Sequence, residues 1–337
     1  MGEIAKIKLG HGSGGKLSQE LFRSHFFPHF ANAYLEEVHD GAILDLDNKR
    51  VAFSTDTFVV KPLFFPGGNI GDLAINGTVN DIAMCGADPK FLSAGFILEE
   101  GFPISLLEDI LRTMSEAARK AGVLLVTGDT KVVENGSADR LYINTSGLGI
   151  VREKVDISPR NARPGDAILL NGRIAEHGIA VMTKRKGLEF ESDIQSDCAA
   201  LNGLIGAILE TTEHVHVLRD PTRGGIAATL NEIAESGNVG IEIEENSILI
   251  SEQVRAIGSI LGLDPFYIAN EGKVVVIVPQ AHADVVLQTM RSCPEGAESS
   301  IIGRVVDRHP GRVVLETAIG TRRIVDMPSG EQLPRIC

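Results

Sequence analysis

The chain has no tryptophan among its 337 residues, while it carries 36 glycines. That balance favours tight turns and close approaches of backbone. No run of about 20 apolar residues occurs, and Met1-Gly2-Glu3 opens no signal peptide, so no membrane association and a cytoplasmic location are expected. Basic charge is in short supply: 32 Lys and Arg face 45 Asp and Glu, a formal net charge of −13. Nothing clusters the basic residues into a cationic face, which argues against nucleic acid as the main partner. Cysteine is scarce too. Cys85, Cys198, Cys293 and Cys337 share no CxxC or finger spacing, so neither a structural disulfide nor a zinc site is expected. No coiled-coil heptad, internal repeat or low-complexity tract is found.

What the sequence does contain is a globular composition, 43% hydrophobic and 23% charged, on a chain long enough for two cores. It ends on a thiol, in Glu331-Gln332-Leu333-Pro334-Arg335-Ile336-Cys337. The preceding stretch, Val325 to Gly330, has neither helical nor strand period, and proline favours extended backbone there. From Pro328 to Cys337 such a tail spans up to roughly 30 Å. Taken alone, it reads as a frayed terminus with an incidental cysteine.

Near the other end, Ile4 to Leu9 alternates like a strand, followed by Gly10-His11-Gly12-Ser13-Gly14-Gly15-Lys16-Leu17. This falls one residue short of the P-loop pattern, because Leu17 replaces the hydroxyl that binds the metal. Its amides suit either a phosphate or simply a flexible turn. Leu17 to Phe30 reads as a helix. Val51 to Phe53 reads as a strand running into Ser54-Thr55-Asp56-Thr57, where an acid within apolar surroundings needs a metal, a helix N-terminus or a lysine. The helix from Ile70 carries Asn76 and Asn80 four residues apart, with Asp81 beside them. Ser105-Leu106-Leu107-Glu108 has the capping-box pattern of a helix that ends before Gly122. Val123 to Val126 reads as a buried strand leading to Gly128-Asp129-Thr130-Lys131, an acid and a base in one loop. Strands are expected at 91–98, 142–150, 167–170, 241–243, 274–278, 301–306 and 312–315. Helices are expected at 198–209, after Thr222 up to Gly237, and at 281–290.

Three acidic motifs thus stand in order, around Asp56, Asp81 and Asp129, and a fourth follows in Asp220-Pro221-Thr222-Arg223-Gly224-Gly225. Together they resemble the ATP-dependent superfamily of aminoimidazole ribonucleotide synthetase, selenophosphate synthetase and thiamine monophosphate kinase, along nearly the whole chain. Within it, the segments 10–15, 64–69, 128–133, 270–273 and the terminal Pro334-Arg335-Ile336-Cys337 are similar to the HypE family of hydrogenase maturation factors. The resemblance implies an α/β (α+β), two-lobed PurM-like fold. Its N-terminal ATP-binding lobe (1–154) would pair across a homodimer. A mixed-sheet C-terminal lobe (155–318) and a flexible tail (319–337) would complete it.

The resemblance also implies a chemistry. A partner carbamoyltransferase, HypF, would load a carbamoyl group onto Cys337, and ATP would drive its dehydration to a thiocyanate. The cyano group would pass to the HypC–HypD complex, as a ligand for the iron of a [NiFe]-hydrogenase. Asp40, Asp56, Asp81 and Asp220 would hold magnesium. Gly12, Ser13, Gly14, Gly15, Asn80, Gly128, Asp129 and Thr130, with Asp56, Asp81 and Asp220, would contact ATP. Glu271 is the expected base and Lys131 the expected charge stabiliser, although Lys131 also suits a phosphate and Glu271 a partner for Lys273. His11 and His177 are secondary candidates. The rivals are a small-molecule kinase, which has no need of a terminal cysteine, and a selenophosphate synthetase, which would carry a reactive residue in the glycine loop. A rival from another class is a scaffold with a docking tail and a vestigial nucleotide site, and a P-loop ATPase is a further option weakened by Leu17.

Overall fold

The computed structural model describes residues 10, 15–30, 32, 34, 36, 39–46, 49–185, 192–330, 333 and 335–337. The expected strand at 4–9, His11 and the loop residues Gly12, Ser13 and Gly14 lie outside them. Helix α1 (Gly15–Leu21) continues through a π-turn, Phe22–Phe26, into α2 (Phe27–Phe30), matching the helix read at 17–30.

The N-terminal lobe is built on a five-stranded sheet. Its strands are β1 (Ala42–Leu46), β2 (Lys49–Phe58), β5 (Ala87–Glu99), β6 (Leu124–Val133) and β7 (Leu141–Val151), with a small hairpin, β3 (Phe64–Phe65) and β4 (Gly68–Asn69), between β2 and the first long helix. The order is β1-β2-β7-β5-β6. Helices α3 (Ile70–Met84) and α4 (Ile104–Ala121) cover one face. Asn69 and Asp72 cap α3 reciprocally, the Gly71 amide donating to Asn69 Oδ1 at 2.7 Å and the Asn69 amide to Asp72 Oδ2 at 2.9 Å. Such a box satisfies two of the free amides at a helix start. No such box opens α4. Pro103, set at a φ of −64°, stands at the N-cap and places Ser105 inside the first turn, while Gly122 closes the helix in the left-handed region as expected.

Helix α3 lies close against β7, because two glycines there leave room. A Cβ on Gly147 would stand 2.5 Å from Ile82 Cδ1 and 2.6 Å from Leu92 Cδ2. Overfilling a packed core of this kind costs about 1–3 kcal/mol. Gly147→Ala is therefore expected to lower stability by that amount, read from the urea midpoint at unchanged slope.

Among the described residues, no helix covers the other face of the sheet. Phe53, Leu148, Phe91 and Leu124 form one cross-strand row over β2, β7, β5 and β6, and all four are exposed. The stretch 124–126, expected to be buried, is the exposed edge strand of the sheet. Period alone cannot distinguish an apolar strand covered within one chain from an apolar strand left open.

The C-terminal lobe begins with β8 (Asp166–Leu170), α5 (Glu176–Thr183), α6 (Asn202–Thr211), β9 (Val217–Arg219) and α7 (Gly225–Gly237). It continues with β10 (Gly240–Glu244), α8 (Glu252–Leu261), β11 (Val275–Pro279), α9 (Gln280–Ser292), β12 (Ser300–Val306), β13 (Val313–Glu316) and β14 (Arg322–Val325). The strands form one mixed sheet, β14-β13-β10-β12-β8-β11-β9. Its central strands are apolar throughout because both faces are covered. Ile168, Leu170, Val275 and Ile277 join a core with α5, α7 and α8; Ala167, Leu169, Val276 and Val278 join another with α6 and α9. Ala83 and Met84, at the end of α3, enter that second core and bind the lobes together. The helix expected from Cys198 starts only at Asn202, and residues 198–201 run as a loop instead. Strand β14 extends the sheet to Val325. Among the described residues no helix is long and apolar enough to cross a membrane.

Candidate active site

Strand alternation decides which β2 residues reach the lobe boundary. Phe53, Thr55 and Thr57 point to the bare face, while Ser54 and Asp56 point towards α3. There the Ser54 hydroxyl donates to Asp81 Oδ2 at 2.6 Å. Asp40, just before β1, pairs through Oδ1 with Arg219 Nε of β9 at 2.8 Å, and the other end of that guanidinium holds Glu232 at 2.7 Å. The next residue, Asp220, accepts from the Thr222 hydroxyl at 2.9 Å. Gly224 and Gly225 both turn with positive φ, 78° and 62°. A Cβ on Gly225 would meet the carbonyls of Phe266 and Ile268 at 2.6 Å, so glycine is required there. The turn aims Arg223 back at Asp56, 3.6 Å away.

Glu271 completes the group from the 270–273 loop, buried, with no hydrogen-bond partner for Oε1 among the described residues. Behind it, the Glu271 amide donates to Asp197 Oδ1 at 3.1 Å, and Asp197 pairs with Lys273 at 2.9 Å. Lys273 is thus occupied by Asp197 and does not serve as the partner of the Glu271 carboxylate.

These acids repel one another. Burial raises the Asp81 carboxyl well above its ordinary range, and the charges of Asp220, Asp56 and Asp40 add to it. Asp220 is pushed up to about 7 by burial and then by Asp40. Asp56 and Glu271 rise as well, burial again leading. Arg219 and Arg223 compensate only part of this charge. Among the described residues no three His, Cys, Asp or Glu side chains form a ready-made metal cage. Magnesium needs none, since it takes one or two carboxylates and fills its octahedron with water and phosphate. The surplus of buried carboxylate oxygen fits such an ion.

The chain terminus is seated in this cleft. Cys337 and Ile336 are buried in the N-terminal core. The Val59 amide donates to a backbone oxygen of Cys337 at 3.0 Å, and the Lys61 amide to the Arg335 carbonyl at 3.1 Å. Arg335 is anchored in turn: Nε donates to the Val59 carbonyl at 2.8 Å, Nη1 to Asp139, and the guanidinium lies over Tyr142. Farther back, Pro328 sits against Gly15 and Gly224, and its carbonyl accepts the Lys16 amide at 3.0 Å. Burial raises the Cys337 thiol to about 12; Arg223 opposes the shift, while Glu271, Asp56 and Asp220 add to it. The segment expected to be a flexible tail is therefore docked at its end, with the sulfur among the acids.

The sequence-predicted residues divide into groups. Asp40, Asp56, Asp81, Asp220, Glu271 and Cys337 come together. Asn80 is committed elsewhere: its amide donates to the carbonyls of Ala199 and Glu271 and accepts the Leu201 amide, tying α3 to the second lobe. Gly128, Asp129, Thr130 and Lys131 lie on the exposed edge strand, where Lys131 pairs with Asp129 at 2.5 Å. Asp129 is three strands from Thr57 in register, roughly 14 Å at about 4.8 Å per strand. Arg219, Ser54 and the Arg335–Asp139 pair were not anticipated. The only signal for Arg219 was its place beside Asp220, and its partner Asp40 is far away in sequence.

Known proteins resemble this chain along nearly its whole length. Residues 38–151 match the AIR synthase related protein N-terminal domain, and 163–316 match the corresponding C-terminal domain. Carbamoyl dehydratase HypE of Azotobacter vinelandii is 49% identical, covering 98% of this chain and 97% of that protein. Its Escherichia coli K12 counterpart is 44% identical, covering 98% and 99%. Among solved structures, a hydrogenase maturation protein HypE in complex with ATP is 46% identical, with a TM-score of 0.83 over 97% of this chain and 98% of that one. A HypE–HypF complex gives 48% identity and a TM-score of 0.87, over 91% and 99%. Two lobes of this fold, the acidic cleft and near-50% identity along the whole chain carry one conclusion: the chain belongs to the HypE family of carbamoyl dehydratases, within the AIR synthase related, PurM-like superfamily.

Proposed function

We propose that the protein dehydrates a carbamoyl group carried on its own Cys337, turning a thiocarboxamide into a thiocyanate with ATP as the second substrate. The observation that carries this reading is the terminal residue buried and anchored at Val59, its thiol within the electrostatic reach of Arg223, Glu271, Asp56 and Asp220. A small-molecule kinase has no use for such a seat.

Amide oxygen is a poor leaving group. Transfer of the γ-phosphoryl group to it turns the oxygen into phosphate, and one nitrogen proton is lost as the C=N bond forms. Loss of the second proton expels phosphate and leaves the C≡N group on sulfur. Glu271 takes a nitrogen proton, because burial and neighbouring charges make its carboxylate unusually basic. Arg223 holds the sulfur end and opposes the negative charge gathering there. Asp40, Asp56, Asp81 and Asp220 would share the holding of magnesium, one or two carboxylates to an ion, and the ion would offset charge on the phosphates.

Asp129 and Lys131 reach the phosphates only in a homodimer, in which the bare row of Phe53, Leu148, Phe91 and Leu124 is covered by a second copy. Gly12, Ser13, Gly14 and Gly15 supply amides to the nucleotide. The partners are the carbamoyltransferase HypF, which loads Cys337, and a HypC–HypD acceptor that passes cyanide to hydrogenase iron, all in the cytoplasm.

Intact-protein mass tests the reading. The chain is incubated with HypF, carbamoyl phosphate and ATP, and its mass is followed against time. A carbamoyl mass should appear first and then give way to a mass one water lower, both requiring Cys337. No adduct, or an adduct on Cys337→Ser, refutes it.

A further inference from the structure

We propose that His177 is the positioning residue that seats Cys337, by holding the Ile336 carbonyl one residue before the sulfur. His177 lies in the first turn of α5 and is wholly buried. The start of that helix is tied to the loop that carries Glu271, because the Ala175 amide donates to Asn270 Oδ1 at 2.7 Å and the Gly178 amide to the Ala269 carbonyl at 3.2 Å. The ring therefore has a set position relative to the base.

Its two nitrogens have unequal neighbours. Nε2 faces the Ile336 carbonyl at 2.9 Å, which can only accept, so Nε2 carries the proton. Nδ1 then accepts from the Ser196 hydroxyl at 2.8 Å. The Ser196 oxygen is itself held by the Cys198 amide at 3.1 Å, and the Ser196 amide by the Pro66 carbonyl at 2.8 Å. The edge of the Phe65 ring fixes the plane, 89° to the imidazole at 5.4 Å. Asp197 and Glu271 are the carboxylates that face the ring, Glu271 Oε1 lying 3.9 Å from Nε2. Burial keeps the imidazole neutral. A ring fixed at one nitrogen by the body and at the other by the tail is oriented before the tail arrives. If the tail leaves, a buried N–H loses its acceptor, which favours the seated state.

This role for His177 rests on Cys337 being the carrier, yet seating is measurable with neither nucleotide nor carbamoyltransferase. Iodoacetamide alkylates Cys337 only when the terminus is unseated, and the rate is read on the C-terminal peptide of the full-length protein. His177→Ala should raise that rate about tenfold, the equivalent of one buried hydrogen bond. His177→Gln, whose amide can donate to the same carbonyl, should restore most of the protection. Cys293, packed in the other lobe, should react at the wild-type rate throughout. A Cys337 rate unchanged in His177→Ala, or a Gln variant no better protected than Ala, overturns the proposal. Should His177→Ala fail to fold, Ser196→Ala decides: it frees the tautomer, so faster alkylation supports the role and a wild-type rate refutes it. Failure of the wild-type protein to load a carbamoyl group would instead refute the carrier reading.

Discussion

Asp81→Asn is expected to load carbamoyl at the wild-type rate and then, in the same ATP-containing mixture, to lose water at least about a hundredfold more slowly, the size of effect seen when one charge-stabilising group is removed from a reacting centre. The measurement is the intact mass of the loaded chain against time. Asn keeps the shape and can still accept the Ser54 hydroxyl bond, so the lobe boundary should hold. The same substitution should raise thermal stability at neutral pH without magnesium. Asp81 is raised in the folded state, so the stability tied to its protonated form is present below the ordinary carboxylate range and is lost as pH climbs; Asn resembles that form. Asp220 obeys the same sign: its contribution is complete below 3.8 and disappears as pH rises through about 7. Slower loading in Asp81→Asn, or a lower melting temperature, would show that the residue supports the fold and not the reaction.

Glu271→Gln is expected to have an effect as large at the other end of the reaction. A positioned base contributes roughly 10²–10⁴-fold, so dehydration should fall by that factor. Loading should be unaffected, and nucleotide binding, followed by calorimetry, should be retained. Gln removes a buried, partnerless carboxylate oxygen, so the variant should also melt higher than wild type near neutral pH. Faster or unchanged dehydration would remove Glu271 from the role of base.

Much of this site was legible because its residues sit in short contiguous motifs. Asp56 within an apolar strand, Asp81 within an apolar helix and the 220–225 turn all announce buried charge, and buried charge requires partners. What could not be read was how the sheet distributes those motifs. Asp129 looks equivalent to Asp56 on paper, but strand order places it on the far edge. Asn80 looks like a ligand-facing amide, yet it ties the two lobes together. The pairing of Asp40 with Arg219 joins residues from different lobes, and no local pattern encodes such a contact. The helix expected from Cys198 begins four residues late because residues 199 and 201 are held as loop by Asn80. The lobes themselves were legible. Periods of two and 3.6 located most strands and helices, whereas the openness of β6 depends on what lies beyond the chain.

The seating of Cys337 in its own chain's cleft changes what rate means for such a protein. A group delivered on a tether meets the reacting residues at a local concentration set by tail length and by Arg335, not by the amount in solution. Dehydration would then be first order in charged protein, with no Michaelis curve for the carried group. Output in the cell would follow how often each molecule is recharged and emptied.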